Sequence, residues 1–96
     1  MVVMILENAP SSVRGELTRW LIEPRAGVFV GHISAMVRDR LWNLCCEKVS
    51  GEESGIVQMW NSNNEQHFRI RTFGETRREI VDYGGLQLVR LPLAEK

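Results

Sequence analysis

The sequence predicts a single α+β domain, a two-layer sandwich with two helices on one face of a mixed sheet, in the order β-α-β-α-β-β-β. Three observations lead there. Residues 2–6 (Val2, Val3, Met4, Ile5, Leu6) form a continuous apolar run with β-branched members, the mark of a central strand covered on both faces. Two later stretches repeat apolar residues at helical spacing. Residues 67–73 instead alternate between apolar and basic residues, a period of two that fits a strand with two unlike faces.

Each element follows from its own residues. The first strand ends at Glu7 and Asn8; Pro10 follows, and Ser11 or Ser12 can cap a helix. Val13, Leu17, Trp20 and Leu21 then fall at i, i+4, i+7 and i+8, with Arg14 and Thr18 facing away. Gly15 weakens this helix by about 1 kcal/mol relative to alanine, and Pro24 is expected to close it. Residues 25–31 hold one short strand, Val28, Phe29 and Val30, between Gly27 and Gly31. Ser34 caps the second helix, whose apolar face is Val37, Leu41, Leu44, Cys45 and Val49. A turn at 50–55, a strand at 56–60 and a polar loop at 61–65 follow. In the next strand Phe68, Ile70 and Thr72 are expected to face the helices, leaving His67, Arg69, Arg71 and Phe73 for solvent or a partner. A charged segment at 75–82 leads through Tyr83, Gly84 and Gly85 to a last strand at 86–91, stopped by Pro92. Residues 75–96 thus read as a C-terminal arm and strand that docks on a partner, within one domain spanning 1–96.

Composition bounds the function. A chain of 96 residues buries roughly 60–65 % of the surface its unfolded form exposes, enough for one core. No run approaches the ~20 apolar residues that cross a bilayer. The N-terminal apolar run lacks a basic lead-in and meets Glu7, so it does not read as a secretory signal, and the protein is expected to be cytoplasmic, with no membrane partner. Cys45 and Cys46 are neighbours on a helix, about 100° apart, which disfavours a disulfide and fits a reducing compartment. Net charge is zero, yet ten of the twelve cations are arginine, whose planar fork pairs two-point with phosphate or carboxylate.

Two places could carry chemistry. Glu7 and Asn8 lie at the C-terminal end of the central strand, where open sheets place ligands, and their oxygens suit Mg²⁺ or Mn²⁺. Glu7 equally suits a plain hydrogen-bonded turn, and no second acid for metal-assisted hydrolysis is evident. The arginines are the second place. Arg14 falls in the first turn of a helix, where the dipole and free N–H groups favour phosphate; Arg69 and Arg71 line a strand face, and Arg77 and Arg78 follow Gly74. From 69 to 78 four arginines stand against Glu75 alone, a site for phosphates or a solvated cluster paired with Glu75, Glu79 and Asp82. His32 and His67 have no metal-ligand spacing, and no phosphate loop, dinucleotide fingerprint or nucleophile elbow occurs. Trp20, Trp42 and Trp60 each sit in or beside an apolar pattern, as core or interface residues do.

Several of these residues together resemble a known family. Glu7-Asn8-x-Pro10, Arg14-Gly15-x-Leu17-x-x-Trp20-Leu21, and Glu23-x-Arg25-Ala26-Gly27-Val28-Phe29-Val30-Gly31 with Ser34-Ala35 resemble CRISPR-associated protein 2, and more narrowly its type I-E subfamily. Thr72-Phe73-Gly74, Arg77-Arg78, Val81-Asp82 and Gly85-Leu86-x-Leu88-Val89 continue the resemblance. It implies a ferredoxin-like sandwich, a symmetric homodimer and a role in spacer acquisition. There the dimer is the scaffold between two dimers of the integrase, CRISPR-associated protein 1, and holds double-stranded DNA by its backbone. By this resemblance Arg14, Arg77 and Arg78 grip phosphates, with Arg25, Arg69 and Arg71 as further candidates. No cofactor is required for that role; Mg²⁺ or Mn²⁺ would serve if Glu7 were the centre of a nuclease, as an aspartate at this position is in some members of the wider family. Type I-E members share the glutamate, which weighs against nuclease activity. Six phosphates neutralised per dimer would give a slope of log K on log salt of roughly −5.

Overall fold

The computed structural model describes residues 1–49, 55–74, 79–84 and 86–90. Its elements are β1 (Val2–Glu7), α1 (Ser11–Leu17), β2 (Ile22–Arg25), β3 (Val28–Gly31), α2 (Ala35–Lys48), β4 (Gly55–Asn61), β5 (Phe68–Gly74), β6 (Glu79–Tyr83) and β7 (Leu86–Arg90). Five strands form one sheet in the order β2-β3-β1-β4-β5, and β6 and β7 pair separately. The architecture is the expected α+β sandwich, ferredoxin-like in its β-α-β-β-α-β order with β5 added at one edge.

Two expectations need correction. The sheet is antiparallel at every pairing rather than mixed, and two strands, not one, lie between the helices. The second point follows from where α1 stops. It ends at Leu17, where the Thr18 hydroxyl donates to the Gly15 carbonyl at 3.1 Å. Ile22, Glu23 and Pro24 are then extended. Pro24 lies in β2, at the edge of the sheet, where its missing N–H costs no ladder bond. The restriction that proline places on Glu23 is real, but it marks a strand and not a helix end. Helix α1 also differs at its start: Pro10 occupies the N-cap position and neither serine caps. In α2 the expected cap forms, with the Val37 N–H donating to Ser34 Oγ at 3.2 Å.

Gly27 makes the β2–β3 turn possible. Its φ is +82°, and a Cβ there would meet the Leu6 carbonyl oxygen at 2.6 Å. The same residue accepts the Leu6 N–H at 2.8 Å, so the turn is bonded to the central strand. Only glycine satisfies both the conformation and the approach.

The core lies between the sheet and the helices. Val2, Met4 and Leu6 of β1 alternate inward, and Phe29 and Ile56 flank them on β3 and β4. Val13, Leu17 and Leu21 meet them from the α1 side, and Leu41, Cys45 and Val49 from the α2 side. Phe29 is fully buried, so truncating it to alanine should cost about 3–5 kcal/mol.

The other sheet face has no helix over it among the described elements, so helices cover the central strand on one face and not on both as expected. Strand register aligns two cross-strand rows there: Val30, Val3, Met59, Ile70 and Val28, Ile5, Val57, Thr72. Seven of the eight side chains are apolar, and all eight are half-buried. Ile22 extends the first row and is 69 % exposed.

The β6–β7 hairpin meets β5 through side-chain amides. Gln87 accepts the Ile70 N–H and donates to the Ile70 carbonyl, both at 2.9 Å. Gln66 treats the Gln87 backbone the same way, with both bonds at 2.8 Å. Each carboxamide stands in for a peptide group of a paired strand, so the hairpin is latched to an edge that it does not extend.

Candidate nucleic-acid interface

One end of the sheet gathers Glu7, Arg14 and Arg25. Glu7 pairs with Gly55, which pairs with Gly74, so the ends of β1, β4 and β5 lie side by side. The Leu6–Gly27 bond brings the β2–β3 turn to the same end. Arg25 is exposed at the end of β2. Arg77 and Arg78 lie outside the described residues.

Arg14 joins this group across the turn. Its Nη2 lies 3.3 Å from Glu23 Oε2, and its side chain keeps 41 % of its surface exposed. The same Oε2 accepts the Gly27 N–H at 2.9 Å. Arg14 is the fourth residue of α1, so the expected first-turn position holds, but so short a helix supplies little dipole. Helix α1 has seven residues, and Arg14 lies in its last turn as well, so any hold on phosphate rests on its own guanidinium. Among the described residues this end carries Arg14 and Arg25 against Glu7 and Glu23.

Arg69 and Arg71 go elsewhere, and this reverses the expected face of β5. The register sets Arg71 opposite Gln58 and Arg69 opposite Trp60, on the helix side, while Phe68 and Ile70 join the uncovered apolar face. The reason is the seat that α2 and β4 offer. Arg71 donates to Asp39 and to Gln58 Oε1, both at 2.8 Å. Its guanidinium stands 4.6 Å from the centre of Trp42 and 4.9 Å from that of Trp60. Arg38 covers Trp60 at 4.3 Å and donates to Asp39 at 3.0 Å. Gln58, fully buried, is completed by its bond to the Arg38 carbonyl at 3.1 Å. The bond from Arg38 chiefly holds the Asp39 carboxyl below the usual carboxylate range; partial burial opposes it, and Arg71 reinforces it. Arg71 therefore has Nε and Nη2 engaged within the fold and its guanidinium stacked on two tryptophans. Arg69 is exposed near the far end of β5, with Nε 3.4 Å from Ser62 Oγ.

The other candidates offer little chemistry. Glu7 is exposed, and among the described residues no group of three or more His, Cys, Asp or Glu side chains could hold a metal ion. Burial pushes the Cys45 thiol up to about 12. Burial also raises Cys46, against the nearby Arg71 charge. Both cysteines are free, as their adjacency implied.

Two residues of these clusters carried little signal in the sequence. Asp39 is 32 positions from Arg71, and no spacing rule joins them. Glu23 stood within the resembling motif, four residues before the glycine it binds, but as an ordinary acid next to proline.

Together the fold and this end define a ferredoxin-like α+β protein that presents arginines beside a glycine turn. The chain belongs to a CRISPR-associated protein family: the family model described as CRISPR-associated protein (Cas_Cas2CT1978) matches residues 1–88. That is the family of CRISPR-associated protein 2, and the match runs from β1 into β7. No helix among the described residues is long and apolar enough to cross a membrane.

Proposed function

We propose that this chain is a type I-E member of its family, acting as a dimeric scaffold that holds protospacer duplex DNA between two integrase dimers during spacer acquisition. The observation that carries the proposal is the gathering of Arg14 and Arg25 beside the β2–β3 turn at one end of the sheet; Arg77 and Arg78 join it on the resemblance alone. Two protomers related by a two-fold axis would present two such ends, a spaced pair of grips suited to a duplex backbone. The uncovered apolar rows supply a self-complementary face for that dimer. The partner would be CRISPR-associated protein 1, which carries out the strand transfer, and zero net charge fits a protein that grips DNA locally inside a larger assembly.

The test is a spacer-integration assay with the complex rebuilt from both proteins. Arg77→Ala with Arg78→Ala should assemble but integrate poorly; full integration by that variant would refute the DNA-gripping role. The alternative is metal-dependent phosphodiester hydrolysis at Glu7, which stands exposed at the same end. Glu7→Gln separates the two readings. The scaffold reading expects integration to continue, and the nuclease reading expects Mg²⁺- or Mn²⁺-dependent cleavage to vanish. Deleting residues 86–96 should break assembly with the integrase more than it melts the helices, which size exclusion and circular dichroism would show.

A further inference from the structure

We infer that Glu23 is an internal counter-ion that competes with the DNA backbone for Arg14, so that binding at this arginine is an exchange of one anion for another. The inference rests on the DNA-binding reading of this sheet end and adds to it a residue that limits affinity. The geometry is asymmetric. Glu23 Oε2 is fixed by the Gly27 N–H at 2.9 Å. Gly27 is itself fixed, by its bond to Leu6 and by a close approach that admits no side chain. The carboxylate is thus held by backbone. Arg14 reaches it from a flexible side chain, at 3.3 Å and 41 % exposed, with Nη2 alone in ion-pair range.

A carboxylate and a phosphate are like ligands for a guanidinium, each offering paired anionic oxygens. An incoming phosphate must therefore draw Arg14 off Glu23 or share it. In either case the carboxylate stays on Gly27, close to the phosphate, and its charge opposes binding. A freed carboxylate also attracts a cation, which cancels part of the counterion release that DNA binding otherwise yields. Glu7 at the same end is exposed, whereas the Glu23 side chain is only 23 % exposed, so of the two carboxylates Glu23 is the less screened by solvent.

Glu23→Gln isolates the charge. The amide oxygen still accepts the Gly27 N–H, so the turn is kept, while the competing anion is lost. The experiment measures binding of a mixed-sequence duplex by the complex with the integrase partner, across a salt series, for wild type, Glu23→Gln, Arg14→Ala and the double variant. Expected is a gain of roughly three- to ten-fold in affinity near 0.1 M salt for Glu23→Gln, with log K against log salt steeper by up to about 1–2 per dimer. The gain should disappear when Arg14 is already alanine. A gain that persists there means Glu23 acts as a diffuse charge and overturns the inference. A loss of affinity overturns it as well, since Glu23 would then be orienting Arg14. An unchanged Glu23→Gln beside a weakened Arg14→Ala defeats the inference and leaves the proposed function standing. If neither Arg14→Ala nor the Arg77→Ala, Arg78→Ala pair affects binding, the proposed function itself fails. The thermal midpoint of Glu23→Gln should fall by no more than the few degrees expected of Arg14→Ala, which excludes a turn that has come apart.

Discussion

Arg14 and Arg71 are the same residue type put to opposite uses. Arg71 is enclosed on several sides: two short hydrogen bonds to Asp39 and Gln58, and the faces of Trp42 and Trp60. Arg14 meets one carboxylate oxygen and is otherwise turned to solvent. The first is costly to remove because Gln58 is buried and would lose its partner. The second is nearly dispensable for folding, since a half-exposed pair contributes about 0–1 kcal/mol. What a basic residue does here depends on how many of its donors the fold has already used, more than on its charge.

The largest effect should come from attacking the enclosed arginine. Arg71→Met removes two charged hydrogen bonds and two cation–π contacts and strands Gln58 Oε1, at a cost of about 3 kcal/mol. For a chain of this size that lowers the thermal midpoint by more than roughly 10 °C. Arg14→Ala should move it by only a few degrees while weakening duplex binding. A stability loss for Arg14→Ala equal to that of Arg71→Met would erase the distinction.

An intermediate effect is expected at the glutamine latch, where the bonds are good but solvent is near. Gln87→Leu should cost about 1–2 kcal/mol locally. Hydrogen exchange at the Ile70 amide, which donates to Gln87, should then speed up about tenfold, with little change in global unfolding. If exchange at Ile70 is unchanged, the hairpin is held by other contacts.

The smallest effect concerns pH. The folded Asp39 carboxyl lies below its ordinary range, mainly through the Arg38 hydrogen bond. Its contribution is therefore present above the unfolded value of about 3.9 and is lost as pH falls through the folded value. Asp39 is half-exposed, so the loss is about half a kcal/mol. Urea midpoints at pH 7 and pH 3 should fall less for Asp39→Asn than for wild type.

The sequence made some of this legible and hid the rest for physical reasons. The central strand, α2 with its Ser34 cap, and the apolar core were readable because periodicity and capping are local. The β2–β3 hairpin was hidden behind Pro24, which reads as a helix stop until the strand is known to be at an edge. The face of β5 was misjudged because alternation gives two faces and does not say which one the helices cover. Phe68 and Ile70 look like core residues, yet the seat of Asp39, Trp42 and Trp60 draws the arginines inward. Arg14 was found by its motif and by its first-turn position, although a helix of seven residues supplies little dipole there. Glu23 had no signal of its own, because its role comes from a turn held across the sheet by Leu6.

The central claim proposed is that Arg14, with Arg77 and Arg78 of segment 75–78, grips DNA and the enclosed Arg71 does not. Its most direct test is the salt dependence of duplex binding by the assembled complex. The account predicts a wild-type slope of log K on log salt approaching −5. That slope should flatten by up to about 2 with Arg14→Ala and by about 3–4 with Arg77→Ala and Arg78→Ala, and should not change for folded Arg71→Met. Equal slopes for all four proteins, or a flattening confined to Arg71→Met, would contradict it.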